Sequence, residues 1–301
     1  MRIGLAVPQY GRFAALSSVL RVAREAEPMG LHSLWASDRL LTPLAPKDPY
    51  PGGDGHMPEA YRVYLDPFAV LSVAASVTST VRLGTSVLNA CWYPPVVLAR
   101  SLTTIDRLSG GRLDAGLGLG WSSDEYAAVG VPWRDRGKRY DATLDALEAI
   151  WGADPVSFEH ELWTITPSNI QPKPARRPPL YLGGFTEAAL RRVGRRGDGW
   201  LAAPVPLPVL TSMWQVVRRA AEEAGRDPGG LRMIVRANPM ITEHGTPPGS
   251  GSVADYCAYL ADAAEAGAQE FILDFQQTAT DDQHLLDLAA AFTSDLSTRL
   301  K

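Results

Sequence analysis

Short apolar runs alternate with longer amphipathic runs along the 301 residues of the chain. The short runs are typical of buried strands, and the longer runs carry the three-to-four residue spacing of helices. The predicted strands are 2–7, 32–36, 81–87, 112–118, 179–182, 199–202, 231–236 and 270–274. The predicted helices are 13–29, 67–78, 95–108, 136–151, 186–195, 207–224, 252–266 and 283–299.

The order of these elements predicts the fold. A strand followed by a helix, repeated along the chain, indicates parallel strands joined by right-handed crossovers. We therefore predict an α/β protein with one domain, residues 1–301, folded as a single (β/α)8 TIM barrel. An open, doubly wound sheet is the alternative.

Two long segments interrupt the alternation. Residues 38–65 follow a predicted strand, so they belong to the face of a barrel that carries active sites. The tyrosines of this segment either line a pocket or pack against one another; they are Tyr50, Tyr61 and Tyr64. Residues 152–178 contain an alternating stretch typical of a hairpin strand, followed by a proline-rich stretch.

Charge and composition exclude several classes of protein. The net charge is -4, and no basic field for nucleic acid is present. No apolar run approaches the length of about 18 to 20 residues that spans a membrane. The chain starts directly with a predicted strand rather than with a signal segment. These features predict a cytoplasmic protein without a membrane partner.

No metal site is expected from the residue spacing. Cys91 and Cys257 lie far apart in the sequence. The histidines form no HxH or HExxH pair; they are His32, His56, His160, His244 and His284. Because no nucleophile elbow is visible either, the chemistry is expected to belong to an organic cofactor.

A double glycine precedes one of the predicted helices. Gly183 and Gly184 end the strand at 179–182, and Thr186 begins the next helix. Glycine lets a ligand approach the backbone, and the helix start offers free N–H groups that suit a phosphate. A plain tight turn is the alternative.

Two further stretches indicate a ligand surface. Gly116, Gly118 and Gly120 alternate along a strand and its exit, which leaves one face bare for a flat ligand or marks a crowded barrel interior. Trp92 and Tyr93 follow the strand at 81–87, where they form an aromatic wall or pack in the core.

Together these stretches resemble the luciferase-like monooxygenase superfamily, in particular the branch that uses the deazaflavin coenzyme F420. The resemblance covers nearly the whole chain. The most specific stretches are "SGGRLDAGLGLGW", "EYAAVGVPWRDRG" and "PLYLGGFTEAALRRVGRRGDGWL".

The resemblance implies a cofactor site and an assembly. It implies a cis peptide between Ser86 and Val87 beneath the cofactor ring. The implied cofactor-binding residues are Ser86, Val87, Gly118, Gly120, Trp121, Gly183, Gly184, Phe185 and Thr186. The expected cofactor is F420, with FMN as the alternative. Relatives also imply a homodimer through predicted helices 67–78 and 95–108, and a separate cofactor reductase as a possible partner.

One triplet departs from the family pattern. Dehydrogenases of this superfamily carry Ser-Asp-His after the second strand, whereas this chain has Ser37, Asp38 and Arg39. A guanidinium stays protonated near neutral pH, so it cannot act as a base, but it can bind an anion or polarise a carbonyl or imine. Alternatively, Arg39 pairs with a nearby carboxylate and points away. We predict Arg39 and Asp38 as the catalytic residues.

The resulting functional prediction is an F420-dependent oxidoreductase acting on a small organic substrate. It favours a reductase of C=C or C=N bonds over an alcohol dehydrogenase. The predicted substrate residues are Trp92, Tyr61 and His56, and basic residues at the barrel mouth are expected to bind the acidic cofactor tail; these are Lys173, Arg176 and Arg177. The alternatives are an FMN-dependent monooxygenase that uses O2 and a flavin-binding protein without catalysis.

Overall fold

The computed structural model describes residues 1–299 and contains one closed barrel. The strands are β1 (Arg2–Ala6), β2 (Ser33–Ala36), β3 (Arg82–Thr85), β4 (Leu88–Asn89), β5 (Leu113–Gly118), β6 (Val156–His160), β7 (Trp163–Ser168), β8 (Leu180–Gly183), β9 (Gly199–Ala202), β10 (Arg232–Ala237), β11 (Met240–Ile241), β12 (Ser250–Gly251) and β13 (Ala268–Leu273).

Eight parallel strands close the barrel in the order β1, β2, β3, β5, β8, β9, β10 and β13, and β13 pairs back with β1. The predicted (β/α)8 class is confirmed, and the open-sheet alternative is wrong. The third predicted strand, 81–87, is interrupted: β3 stops at Thr85, and the chain pairs with β5 again as β4.

The helices surround this barrel. They are α1 (Leu16–Ala26), α2 (Pro67–Val77), α3 (Pro95–Leu108), α4 (Ser123–Ala128), α5 (Arg136–Trp151), α6 (Glu187–Arg196), α7 (Leu207–Glu223), α8 (Val253–Glu265) and α9 (Asp282–Arg299). The sequence predicted α3 and α5 with the observed bounds. The first helix is shorter than the predicted 13–29, because residues 11–13 form a 3-10 turn, Ala15 is extended, and Pro28 has no N–H with which to continue the helical hydrogen bonds.

Side chains fill the barrel interior. Trp35, Tyr181, Leu201, Ile234 and Ile272 are buried together there, and Val87 packs against them. The barrel therefore has a packed core rather than a channel, as in other barrels of this class. The interior between the two ends of the barrel therefore has no room for a ligand.

The two insertions differ in structure. Residues 152–178 contain the antiparallel hairpin β6–β7, which confirms the predicted hairpin strand. Residues 38–65 lack strands and contain one 3-10 helix at Glu59–Arg62. Within residues 1–299 no helix is long and apolar enough to cross a membrane.

Candidate functional site

Most of the predicted cofactor and catalytic residues meet at the carboxyl ends of the barrel strands. Asp38 and Arg39 follow β2, and the Ser86–Val87 bulge follows β3. Gly120 and Trp121 follow β5, and Gly184 follows β8. Because all of these strands are parallel, their carboxyl ends form one face of the barrel. The fold therefore gathers these residues at one face.

The third strand is broken by a bulge at Ser86–Val87. The peptide bond between these residues is cis, as the family resemblance implies. A Cβ atom on Gly118 would lie 2.6 Å from Cγ2 of Val87, and one on Gly116 would overlap the carbonyl oxygen of Thr85. The alternating glycines therefore let β5 approach the bulge closely, and a crowded interior accounts for Gly116.

Arg236 binds the bulge through hydrogen bonds to Ser86. Its Nη1 donates to the carbonyl oxygen of Ser86 at 2.8 Å and to Ser86 Oγ at 2.6 Å. Its Nη2 pairs with Asp274, which also accepts a hydrogen bond from the Tyr10 hydroxyl at 3.1 Å. Burial alone would lower the pKa of Arg236, but the Asp274 carboxylate and the neighbouring tyrosines together outweigh this effect and raise it. The guanidinium is thus a fixed positive charge beneath the bulge.

Sequence reasoning missed Arg236 and Asp274. The available signal was a charged residue near the end of an apolar strand, since Arg236 lies near the end of β10 and Asp274 directly follows β13. At the carboxyl ends of barrel strands such residues face the site more often than solvent.

The double-glycine turn leads directly into α6. The Gly184 carbonyl accepts a hydrogen bond from Trp200 Nε1 at 3.0 Å, which fixes the turn to β9. The Thr186 hydroxyl accepts from the Ala189 N–H at 3.3 Å and caps the helix. Phe185 is 50% exposed. The turn thus presents the positive end of a helix to open solvent at the site face.

Asp38 is buried beside the bulge. Its Oδ2 accepts hydrogen bonds from the Asn89 N–H at 3.1 Å and from the Tyr93 hydroxyl at 3.0 Å. Burial raises the pKa of Asp38 to about 7, helped by the nearby carboxylates of Glu125 and Asp66 and opposed by the two hydrogen bonds. Asp38 can therefore gain or release a proton near neutral pH.

This shift predicts a pH dependence of stability. Because the pKa of Asp38 is raised from 3.8 to about 7, the folded protein binds more protons than the unfolded chain between these values. The contribution of Asp38 is fully present below about pH 4 and is lost as pH rises through about 7. Relative to wild type, Asp38→Asn should gain up to about 1.4 kcal/mol per pH unit across that window. Urea unfolding from about pH 4 to pH 8 measures the difference, and parallel curves would contradict it.

Arg39 is held between two aromatic rings. Its guanidinium carbon lies 5.5 Å from the ring centroid of Tyr61 and 4.9 Å from that of Trp121. Its Nη1 lies 3.6 Å from Oε1 of Glu125, and the two side chains are 8% and 1% exposed. Glu125 also accepts from the Leu40 N–H at 2.8 Å. Arg39 thus has the carboxylate partner that the sequence left open, and it lies within the aromatic cluster of the site.

The tyrosines of the 38–65 insertion pack against one another. Tyr10 contacts Tyr61 edge-on at 4.9 Å and stacks on Tyr64 at 5.2 Å. Tyr50 lies 5.9 Å from Tyr61 and 5.5 Å from Trp121. These rings form an apolar wall beside Arg39. Self-packing of these tyrosines is therefore confirmed, and their lining of a substrate pocket stays a prediction.

Two predicted substrate residues lie apart from this cluster. The His56 ring is 87% exposed and faces Asp54 at 3.3 Å. Trp92 is buried and contacts Tyr126 at 6.4 Å between ring centroids. The structure brings Tyr61, but neither of these two, against Arg39.

The basic residues predicted at the barrel mouth lie elsewhere. Arg176 and Arg177 line a cavity at the amino ends of the strands, together with Arg82 at the start of β3. Lys173 pairs with Asp154 at 2.8 Å. The placement of Arg176 and Arg177 at the mouth was wrong, because both precede β8 and residues that precede a strand lie at its amino end.

The site contains a polar atom that fits a bound organic cofactor. Asn89 Oδ1 is buried, and no residue among 1–299 donates to it. It lies against Gly120, whose φ of +68° is left-handed, so that a side chain there would be both strained and in collision with Asn89. An unsatisfied buried acceptor costs about 1–3 kcal/mol, which an N–H or O–H group of a ligand would offset. Within residues 1–299 no group of side chains suits a metal ion.

The closed parallel barrel, the interrupted third strand and the double-glycine turn before α6 are consistent with the family that the sequence resembles. The chain matches the luciferase-like monooxygenase family over residues 2–247, and it belongs to that family.

Individual relatives agree with this assignment. The chain is 30% identical over 288 residues to the uncharacterized protein Rv0953c of Mycobacterium tuberculosis, covering 92% of both chains. It is 30% identical over 215 residues to the F420-dependent glucose-6-phosphate dehydrogenase of Kineococcus radiotolerans, covering 69% of this chain and 59% of that protein. The monooxygenase RslO1 from Streptomyces bottropensis shares the fold, with a TM-score of 0.82, 20% identity and full coverage of both chains.

Proposed function

We propose that this member of an oxidoreductase family binds coenzyme F420 and transfers a hydride between the cofactor and a small organic substrate. We propose further that it works as a reductase of C=C or C=N bonds. The observation that carries the proposal is Arg39, a buried cation held by Glu125 against Tyr61 and Trp121. The Arg39 guanidinium stays protonated and therefore always donates hydrogen bonds. Such a donor stabilises a substrate that gains electron density on reduction, but it cannot remove the proton that an alcohol must lose on oxidation.

Each residue of the site has a role in this proposal. Ser86, Val87, Asn89 and the glycines of β5 would hold the cofactor ring, and the turn at residues 183–186 would bind its phosphate. The deazaflavin supplies hydride chemistry when it is bound. Arg39 orients and polarises the acceptor, while the tyrosine cluster excludes water.

Asp38 supplies proton chemistry close to the bulge. Its pKa of about 7 means that protonated and ionised forms coexist near neutral pH. The Tyr93 hydroxyl, 3.0 Å from Asp38, connects it to a second exchangeable proton. A reductase needs one proton for every hydride that it adds, and Asp38 can hold that proton.

The choice of F420 rests on the relatives. One F420-dependent dehydrogenase is 30% identical to this chain over 69% of its length, and another is 29% identical over 61%. The likeness to a monooxygenase structure is at 20% identity and concerns the fold alone. An FMN-dependent monooxygenase is therefore the second candidate, and its distinguishing property is consumption of O2.

Turnover tests the proposed reaction. The protein is mixed with reduced F420 and a panel of activated alkenes and imines, and oxidation of the cofactor is followed without O2. We expect substrate-dependent oxidation with some members of the panel. Cofactor oxidation seen only when O2 is admitted, turnover found only when alcohols reduce oxidised F420, or tight binding of F420 without any turnover would each contradict the reductase.

Arg39→Ala tests the role of the buried guanidinium on which this proposal rests. We expect kcat/KM to fall by about 100-fold, as on loss of one positioned donor, while the Kd for F420 stays within about threefold. Arg39→Lys keeps the charge but loses the planar group that stacks on Trp121, so it should recover only part of the activity. A large loss of F420 affinity in the alanine variant would assign Arg39 to the cofactor instead.

A further inference from the structure

A cavity lies at the opposite end of the barrel from the proposed active site. It has a volume of about 370 Å³ at the amino ends of the strands. The first residues of β1, β3 and β10 contribute Arg2, Arg82 and Arg232, and the segment before β8 contributes Arg176 and Arg177. The packed barrel core separates this cavity from the carboxyl end.

The cavity carries an excess of positive charge. Asp114 binds Arg82 through two hydrogen bonds of 2.6 Å, Glu270 lies 3.2 Å from Arg232, and Asp198 lies 2.6 Å from Arg177. Five arginines thus face three carboxylates, which leaves a net charge of about +2. Within residues 1–299, Arg2 and Arg176 form no ion pair. The ion pairs give Arg82, Arg177 and Arg232 a structural role, whereas Arg2 and Arg176 have no such role in the part of the chain that the structure describes.

His32 is a further polar side chain next to these arginines. It lines the same cavity, and its Nε2 atom is buried without a hydrogen-bond partner among residues 1–299. Burial lowers the pKa of His32; Arg2 and Arg82 add to this effect, and Glu270, at 4.0 Å, opposes it. Nε2 itself faces Glu270 and is closed to the cavity, but the His32 side chain is 29% exposed, so a ligand placed between the arginines would contact the exposed part of the ring.

We propose that this amino-terminal cavity binds a small phosphate, inorganic or carried by an organic molecule, through Arg2, Arg176 and His32. Guanidinium groups pair with phosphate oxygens in bidentate geometry, and a phosphate dianion matches the excess charge of the cavity. Nothing in the proposed hydride transfer requires this site. It is therefore an effector or anchoring site on the face that in barrels usually serves stability.

Titration with inorganic phosphate and with pyrophosphate, each against chloride at matched ionic strength, tests the site. The readout is the ring C–H signals of the five histidines by NMR, with His32 assigned from His32→Gln. We expect the His32 signal to move saturably and the pKa of His32 to rise, because a bound anion offsets the arginines. The other histidines should stay unchanged. A saturable response to phosphate indicates a site for a single phosphoryl group, and a response to pyrophosphate alone indicates a diphosphate site.

Variants separate this site from the proposed cofactor site. Arg2→Gln and Arg176→Gln remove cations without an ion pair, so folding should persist, and each should weaken phosphate binding about tenfold. Arg134→Gln removes a 94% exposed arginine from the loop before α5 at the other end of the barrel and should have no effect. Equal weakening by Arg134→Gln, or no movement of His32 with either phosphate or pyrophosphate at millimolar concentration, would overturn the proposal. Because the signal comes from His32, phosphate bound at Gly184 would not imitate it.

Discussion

Arg236→Met is expected to lower the free energy of unfolding by about 3–5 kcal/mol. The substitution leaves the buried Asp274 carboxylate without its cation, and it removes both hydrogen bonds to Ser86. Breaking one partner of a buried ion pair is costly because the remaining charge stays desolvated. Urea unfolding, followed by circular dichroism, measures the loss.

Two controls identify the cause. Arg191→Met breaks an ion pair with Glu223 whose partners are 36% and 46% exposed, and it should cost less than about 1 kcal/mol. Adding Asp274→Asn to Arg236→Met removes the orphaned charge and should recover part of the loss. A cost of Arg236→Met no larger than that of Arg191→Met would mean that Arg236 does not hold the bulge.

Gly184→Asp is expected to weaken F420 binding by about 100-fold or more. A carboxylate about 4 Å from a phosphate charge near a protein surface opposes binding by several kcal/mol. The same position faces the start of α6, whose N–H groups the new carboxylate would occupy. Fluorescence titration of the variant measures the loss of affinity.

The steric part of this effect needs its own control, because a Cβ atom on Gly184 would overlap the side chain of Ala189. Gly184→Ala carries the same Cβ without the charge. Phe185→Glu adds the charge at an exposed side chain and should weaken F420 binding by about tenfold, while its favourable contact with the helix start keeps the fold stable. If Gly184→Ala loses as much affinity as Gly184→Asp and Phe185→Glu loses none, the phosphate does not bind at this turn.

The elements of this barrel were predictable because their signals are local. The bounds of α3 and α5 follow from apolar spacing and, for α3, from the prolines at its start. The interruption of the third strand cannot be predicted from such local signals. Residues 81–87 read as one strand, and the bulge at Ser86 and Val87, where the family resemblance implied a cis peptide, depends on the close approach of Gly116 and Gly118 and on the contacts of Arg236.

The residues of the candidate site were predictable from the sequence only where they belong to a recognisable motif. The turn at Gly183–Thr186 and the Asp38–Arg39 pair follow strands directly. The contacts of Arg236 with Ser86 and of Arg39 with Glu125 join residues 150 and 86 positions apart. The spacing of such residues along the sequence gives no indication that they meet in the folded barrel. Arg176 and Arg177 show the opposite case, since their position before a strand already indicated the amino end.

Parallel fluorescence titration of the purified protein with F420 and with FMN tests the central claim most directly. The account predicts tight, saturable binding of F420 and weak or absent binding of FMN, with F420 affinity lost in Gly184→Asp. Tight binding of FMN with weak binding of F420 would contradict it, and would turn the search for activity toward O2 and a partner reductase.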